Sequence, residues 1–583
     1  MKYSAIPTAQ SIVQHCQAKN ISNIVISPGS RNAPLTIAFA ENPFFNCYSI
    51  VDERCAAFFA LGMAQQLQVP VVVLCTSGSA LLNYYPALAE AYFSNIPLVV
   101  ISADRPIYKL GIGDGQTINQ QNVFKNHIGY SANLKQDVSH ATEKVLHYKP
   151  EWIIDENVSE VQQKIQSYND VELNHAFEIA INLNHPVHIN APFEEPLYNT
   201  LTENIITPRI DAVKVGEVTQ PNIEYHKNIW NIAVRKMILV GVSTPGTVKD
   251  YILEHLANDP SVLVLTETTS NIHHPNFFNS IDSLIAPIEM HENKFEQFNQ
   301  LQPDVLVTFG GLIVSKKVKA FLRKYKPEHH WHIGGQQAND TFFCLEEHIK
   351  VSVNTFFDKM YADSIVLKSD YFEKWNQVKQ KFEQKRDLYL KEIPFSDFLA
   401  FSEILKSVPN EYMLQLANSS TIRYTQLFNF NTTLKVFCNR GTSGIDGSTS
   451  TAIGASIGNN SPTLFITGDL SFFYDSNALW NNYIKSNFRI IVINNNGGGI
   501  FRILPGKENS DVFETYFETR HTLTAEHLCS MYGLDYRKAK STQELQDELS
   551  YFFKESARPQ LLEITTPALK NDKILIDYFR FIS

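Results

Sequence analysis

The sequence predicts an α/β protein made of three doubly wound parallel-sheet domains, and three observations predict it. Short apolar runs rich in β-branched residues recur along almost the whole 583-residue chain. Helix-length amphipathic segments separate them. Two stretches, about 195–225 and about 368–390, break the alternation. Runs that are apolar at nearly every position read as parallel strands buried on both faces. Strand–helix–strand repeats with right-handed crossovers then wind helices onto both faces of a sheet. A chain this long exceeds a single hydrophobic core. The breaks therefore mark domains spanning 1–195, 196–365 and 366–583.

Taken in order, the first group of strands is NIVIS (23–27), CYSIV (47–51), VVVLC (71–75), LVVIS (98–102) and PVHIN (186–190). Amphipathic stretches such as CAAFFALGMAQQL and ALLNYYPALAEAYF lie between them. Residues 195–225 gather Pro, Thr and Asn and read as a linker. The second group is MILVGV (237–242), SVLVLTE (261–267), DVLVTFGG (304–311) and HWHIGG (330–335). A charge-rich helical stretch at 368–390 leads to YMLQLAN (412–418), LKVFCN (434–439), TLFITG (463–468), RIIVINNN (489–496) and QLLEITT (560–566).

Composition narrows the function. With 44% hydrophobic and 19% charged residues the chain suits a globular protein rather than a disordered one. Its net charge of −10 argues against nonspecific nucleic-acid binding, because phosphate is repelled, whereas local basic clusters still serve small anionic substrates. Seven cysteines at 16, 47, 55, 75, 344, 438 and 529, with no CxxC, are a reduced, intracellular pattern. The first residues, MKYSAIPTAQSIVQHCQ, lack the apolar stretch of a signal peptide. No apolar run approaches the roughly 20 residues of a membrane span. A cytoplasmic protein without membrane insertion is expected.

The chemistry-bearing motifs are GDLSFFYD (468–475) and NNNGGGIF (494–501). Each follows a strand, which puts Asp469 and Asn496 at carboxyl edges, where open α/β sheets bind ligands. The two are 27 positions apart, one βαβ unit, so both side-chain oxygens can converge on one cation. Carboxylate, amide and carbonyl oxygens suit Mg²⁺, and the glycines let backbone approach a diphosphate. Either motif alone also reads as a plain turn between strands. Glu53, in YSIVDERCAAFF, stands between a strand and a helix. It reads as a helix cap or as a carboxylate buried among Val51, Phe58 and Phe59 with a tuned proton affinity.

Together the two motifs resemble the GD…NN signature of thiamine-diphosphate enzymes. The resemblance implies a pyrimidine-binding first domain, a middle domain and a diphosphate-binding third domain. It implies Asp469, the Asn496 side chain and the Gly498 carbonyl as ligands of Mg²⁺, with Mn²⁺ as a substitute. It makes Glu53 the partner of the aminopyrimidine N1′, and Ile445, in NRGTSGIDG (439–447), the wedge that bends the cofactor. Ser419, Leu470, Ser471, Ile500 and Phe501 join the implied cofactor contacts.

In detail the chain is similar to the 2-succinyl-5-enolpyruvyl-6-hydroxy-3-cyclohexene-1-carboxylate synthases. SPGSRNAPL (27–35), TSGSA (76–80), SADRP (102–106), NRGTSGIDG and NNNGGGIF carry the likeness. It implies decarboxylation of 2-oxoglutarate, Michaelis-type addition of the resulting succinic-semialdehyde carbanion equivalent to isochorismate, and a homodimer or dimer of dimers. Two dicarboxylate substrates call for several cations, preferably guanidinium forks. Arg31, Arg105, Arg423, Arg440, Lys316 and Lys317 are the candidates, with Ser30 and Gln116 as polar partners. Arg31, Gln116, Arg423 and Arg440 are expected to act at the reacting centre with Glu53. Two positions depart from the pattern: Gly115 stands where several relatives carry asparagine, and Lys317 where arginine is common.

Other readings stay open. Another thiamine-diphosphate decarboxylase or carboligase would keep Glu53 and Asp469 without needing the basic set. A dinucleotide dehydrogenase would read GGG (497–499) or GIGDG (111–115) as its phosphate loop, though neither has GxGxxG opening a helix. A non-catalytic cofactor-binding regulator would have no use for Glu53.

Overall fold

Three parallel sheets form because the apolar runs stack side by side and helices cover both of their faces. The computed structural model describes residues 2–153, 157–213, 222–335, 337–362, 365–503 and 510–583. The chain gathers into two compact units. One comprises Met1–Gly216, Gly441–Asn460 and Tyr474–Lys485, the other Glu217–Arg440, Ser461–Phe473 and Ser486–Ser583.

The strands of the first unit are β1 (Tyr3–Ser4), β2 (Asn23–Ile26), β3 (Asn46–Ser49), β4 (Val71–Cys75), β5 (Leu98–Asp104), β6 (Tyr130–Asn133), β7 (Val187–Pro192) and β8 (Thr200–Leu201). Six of them make a parallel sheet in the order β3-β2-β4-β5-β7-β6, while β1 and β8 form a short antiparallel ribbon. β4 and β5 lie centrally and are buried at every position, as their unbroken apolar runs require. The expected linker at 195–225 carries β8, and its residues 214–221 lie outside those described.

Within this unit the helix Ser448–Ile457 meets the helix Glu53–Leu67 backbone to backbone. A Cβ on Gly62 would lie 2.0 Å from the Thr451 carbonyl oxygen, and one on Gly454 would lie 1.9 Å from that of Phe59. The two glycines are what allow the crossing. Gly447, at φ +67°, lies against the Phe58 ring, which a Cβ would meet at 2.1 Å.

The second unit holds two sheets. β9 (Lys236–Val240), β10 (Val262–Thr266), β11 (Val305–Phe309), β12 (His329–Ile333) and β13 (Glu347–Ile349) pair in the order β10-β9-β11-β12-β13. β14 (Met413–Leu416), β15 (Lys435–Cys438), β16 (Thr463–Gly468), β17 (Phe488–Asn494), β18 (Asp535–Ala539) and β19 (Gln560–Thr565) pair as β15-β14-β16-β17-β19-β18. All pairings in both sheets are parallel. The charge-rich helix is Tyr371–Glu392, and it buries Tyr371, Trp375, Phe382 and Tyr389 in a core shared with residues of both sheets.

Every strand expected from the sequence is present, but β6, β13 and β18 were not expected. Each closes one edge of its sheet. YSAN, EHI and DYRKA are partly exposed, so they need no continuous apolar run and leave no such signal. One packing expectation also fails. Phe58 and Phe59 are buried, but Val51 is 39% exposed because it stands in the turn between β3 and its helix.

Candidate active site

In the second unit β16 and β17 are adjacent and parallel, with Gly468 in register with Ile493. Their carboxyl ends therefore deliver both motifs to one place. Asp469 is 3% exposed, and its Oδ1 accepts from the Leu470 N–H at 2.7 Å. Its Oδ2 accepts from the Gly497 N–H at 3.0 Å, and His521 Nε2 lies 3.2 Å from the same oxygen. Asn496 has φ +64°, a left-handed conformation that an asparagine tolerates. Its N–H donates to Asn494 Oδ1 at 3.1 Å. The Gly498 N–H donates to the Glu518 carbonyl at 2.6 Å, and Arg502 and Arg520 both pair with the Glu518 carboxylate. The Gly498 carbonyl accepts from the Phe501 N–H at 3.2 Å as the chain enters the 3-10 turn Gly499–Ile503. Among the described residues no α-helix opens at this loop, unlike a dinucleotide phosphate loop.

Asp397 braces the same loop. Its Oδ2 accepts from Asn495 Nδ2 at 2.9 Å and its Oδ1 from the Thr566 hydroxyl at 2.5 Å. Burial pushes its carboxyl up to about 6 despite those donors. The sequence offered only a local signal there, an acid in the first turn of the helix Asp397–Ser407.

A cavity of about 250 Å³ opens beside this loop, lined among others by Lys316, Lys317, Arg423, Ile500, Asp282 and Phe579. It joins four of the expected residues within one unit. Arg423 donates to the Ser419 carbonyl at 2.8 Å, with Ser419 at φ +67°. Burial, and then the charge of Arg440, lower the proton affinity of Arg423, while Asp282 opposes them. Like charges this close disfavour each other's charged form. Arg440 is 9% exposed and donates to Asn418 Oδ1 at 2.7 Å. Lys317 pairs with Glu289 and lies 5.6 Å from the Phe579 ring centre, so its ammonium starts out engaged rather than solvated.

In the first unit Glu53 opens the helix Glu53–Leu67, whose cap is Asp52, accepting from the Cys55 N–H at 3.2 Å. The capping role thus belongs to the neighbouring residue, leaving the half-buried Glu53 carboxylate available for other work. Arg31 is 3% exposed and donates to the Phe193 carbonyl and to Glu195 Oε1, each at 3.0 Å. Burial, and then repulsion from Arg105, lower its proton affinity. Arg105 donates to the Gly115 carbonyl at 3.1 Å, so the backbone of the position that departs from the pattern makes a contact. Gln116, at φ +56°, and Ser30 are exposed. Ile445 is 40% exposed and is not a core residue.

The loop carrying Ile445 is held by an acid the sequence reading did not select. Glu90 is 1% exposed, and its carboxylate accepts from the Gly441 and Thr442 N–H groups, each at 2.7 Å, and from the Thr442 hydroxyl at 2.9 Å. Asp475, fully buried, accepts from the Ser450 N–H at 2.7 Å in the first turn of the following helix. Neither acid carries a local signal, since Glu90 lies 351 positions from Gly441.

Comparison with known proteins agrees with this geometry. Residues 6–129 match the model "Thiamine pyrophosphate enzyme, N-terminal TPP binding domain", and residues 418–564 match its C-terminal counterpart. A 2-succinyl-5-enolpyruvyl-6-hydroxy-3-cyclohexene-1-carboxylate synthase of Christiangramia forsetii is 55% identical, with 100% of both chains covered. Synthases of the same name from Flavobacterium johnsoniae and Flavobacterium psychrophilum are 52% and 51% identical, again over 100% of both chains. Identity of this level, sustained from end to end and including both cofactor-binding regions, shows that the chain belongs to the 2-succinyl-5-enolpyruvyl-6-hydroxy-3-cyclohexene-1-carboxylate synthases, within the thiamine pyrophosphate enzymes.

Proposed function

We propose that the protein joins the four carbons left when 2-oxoglutarate loses CO₂ to isochorismate by Michaelis-type addition. The product is 2-succinyl-5-enolpyruvyl-6-hydroxy-3-cyclohexene-1-carboxylate, a step of menaquinone biosynthesis. The observation that carries the reading is the cavity that gathers Lys316, Lys317 and Arg423 beside the NNNGGGIF loop. An enzyme acting on monoanionic 2-oxo acids would not need that set, whereas two dicarboxylates do.

Thiamine diphosphate, when bound, supplies the carbon nucleophile and the electron sink. Glu53 would hold a proton at the aminopyrimidine N1′, and Ile445 would supply the apolar wedge that bends the cofactor. Ser419, Leu470, Ser471, Ile500 and Phe501 would line its path. The chemistry of the donors fits a hard cation. Asp469 is a buried carboxylate, and among the described residues the neighbouring buried Asn495 Oδ1 has no hydrogen-bond partner. Among the described residues no three His, Cys, Asp or Glu side chains gather to hold a metal. An ion here would rest on one carboxylate with amide and carbonyl oxygens, a set suited to Mg²⁺ or Mn²⁺. Asp469, Asn496 and the Gly498 carbonyl are the proposed ligands. Arg31, Arg105, Gln116, Ser30, Arg423, Arg440, Lys316 and Lys317 would orient substrate carboxylates and offset their charge.

We further place domain boundaries at 1–195, 196–365 and 366–583, each range enclosing one of the three parallel sheets. A cytoplasmic homodimer completes the reading. Its seven cysteines form no disulfide, and among the described residues no helix is long and apolar enough to cross a membrane. The test is incubation with 2-oxoglutarate and isochorismate, with and without thiamine diphosphate and Mg²⁺, following product by mass. Product formation without the cofactor, or none with everything present, would overturn the assignment.

A further inference from the structure

Lys316 and Lys317 open the helix Lys316–Lys324, and what aims them at the cavity is the segment just before it. That segment leaves β11 through Gly310 and Gly311 and would be loose without an anchor. The anchor is Glu267, the residue directly after β10. It is 3% exposed, and both carboxylate oxygens bond this segment: Oε2 accepts from the Val314 N–H at 2.7 Å and Oε1 from the Ser315 N–H at 2.7 Å. The same carboxylate also caps the turn Thr268–Ser270 by accepting from the Ser270 N–H. Glu267 is itself held, because its N–H donates to the Ser270 hydroxyl at 2.9 Å and that hydroxyl donates to the Val240 carbonyl at 2.8 Å. Ser315 completes the clamp, its hydroxyl bonding Asp282 and accepting from the Val318 N–H at 3.2 Å.

A fully buried carboxylate without a paired cation at its own oxygens is expensive. Here the Val314, Ser315 and Ser270 N–H groups and the charges of Arg440 and Lys319 offset part of the cost, while the charge of Asp282 adds to it. A hydrophobic residue in its place would leave the buried Val314 and Ser315 N–H groups without their acceptor. The acid therefore fixes where the segment runs.

We propose that Glu267 is a positioning residue for substrate recognition: by holding the Val314 and Ser315 amides it sets where Lys316 and Lys317 stand relative to Arg423, and so how a dicarboxylate is gripped. This rests on the reading that these cations face the substrates. Glu267 needs no contact with substrate or cofactor to act.

The test compares wild type with Glu267→Gln, which keeps the volume but turns one acceptor into a donor facing an N–H. KM for at least one of the two substrates should rise about tenfold or more, with kcat changed little and thiamine diphosphate titrating as tightly as in wild type. In a Lys316→Ala/Lys317→Ala background, Glu267→Gln should add almost nothing, because the groups it aims are gone. Equal KM values, a full additive penalty in that background, or an equal loss of cofactor affinity would each overturn the proposal. Amide exchange across 312–318 should accelerate in Glu267→Gln, and unchanged exchange would also sink it. That last measurement needs no turnover. It therefore separates a failure of Glu267 from a failure of the proposed reaction, which would show as a wild type making no product.

Discussion

The carboxylate of Asp469 accepts a hydrogen bond from the N–H of Gly497 at 3.0 Å, tying the turn after β16 to the glycine loop after β17. The two halves of the cofactor motif are thus tied into one structural object. Asp469 orders the loop, and under the proposed function its remaining lone pairs would also face a cation.

Asp469→Ala should therefore weaken thiamine diphosphate binding at least about tenfold in the presence of Mg²⁺, since both a charge-assisted ligand and the loop tether are lost. Fluorescence titration of the cofactor checks it. Equal affinity in the variant would move the metal site elsewhere.

Arg423 tells a different story, because it lines the cavity and is crowded by Arg440. Arg423→Ala should leave cofactor affinity intact and weaken substrate binding by about ten- to a hundredfold, the worth of one charge-assisted contact of roughly 1.5–3 kcal/mol. Steady-state kinetics with each substrate varied in turn will show which carboxylate it holds.

Gly454→Ala sets two effects against each other. Alanine favours the helix by up to about 1 kcal/mol. Its Cβ, however, would sit 1.9 Å from the Phe59 carbonyl oxygen, a backbone atom that cannot swing aside. Overpacking of that kind costs roughly 1–3 kcal/mol or more, so the variant should be less stable in denaturant unfolding. A neutral or stabilised variant would mean the two helices do not touch backbone to backbone.

The buried acid Asp475 makes stability depend on pH in a definite direction. Burial raises its carboxyl from the usual range to about 6, so the folded chain keeps a proton that the unfolded chain has already released. Its contribution is fully present below about pH 4 and is lost as pH rises through about 6. Relative to Asp475→Asn, the wild type should lose up to roughly 3 kcal/mol of unfolding free energy between pH 4 and pH 7. Parallel pH curves for the two proteins would refute the assignment.

Assembly can be read from activity. We propose that Glu53 of one subunit works with Asp469 of another across a two-fold dimer. Glu53→Gln alone should fold and bind cofactor but turn over orders of magnitude more slowly, since an amide cannot serve N1′ as a carboxylate does. Co-expressed Glu53→Gln and Asp469→Ala chains, purified through two different tags, would form mixed dimers with one doubly damaged site and one intact site. Random pairing makes about half the dimers mixed, so about a quarter of wild-type activity should return to the unfractionated mixture. An inactive mixed dimer would show that each subunit builds its own site.

Much of this protein was written in its sequence. The central strands were legible because burial on both faces forces an unbroken apolar run, and VVVLC and RIIVIN can be little else. The places of Asp469 and Asn496 at carboxyl strand ends were legible because each lies within two residues of the end of such a run, whereas Glu53 follows β3, a partly exposed edge strand. What only the tertiary structure decided lies at sheet edges and in long-range hydrogen bonds. β6, β13 and β18 are edge strands with water on one side, so their polar residues carry no strand pattern. Val51 and Ile445 are apolar yet exposed, which a hydrophobicity pattern cannot foresee. Glu90, Glu267 and Asp397 look like ordinary acids on or beside helices. They become clamps only because the fold brings backbone or amide donors to them from 351, 47 and 98 positions away. A periodic pattern reports which face of an element is buried, whereas the partner of a buried carboxylate is chosen by the packing of the whole chain.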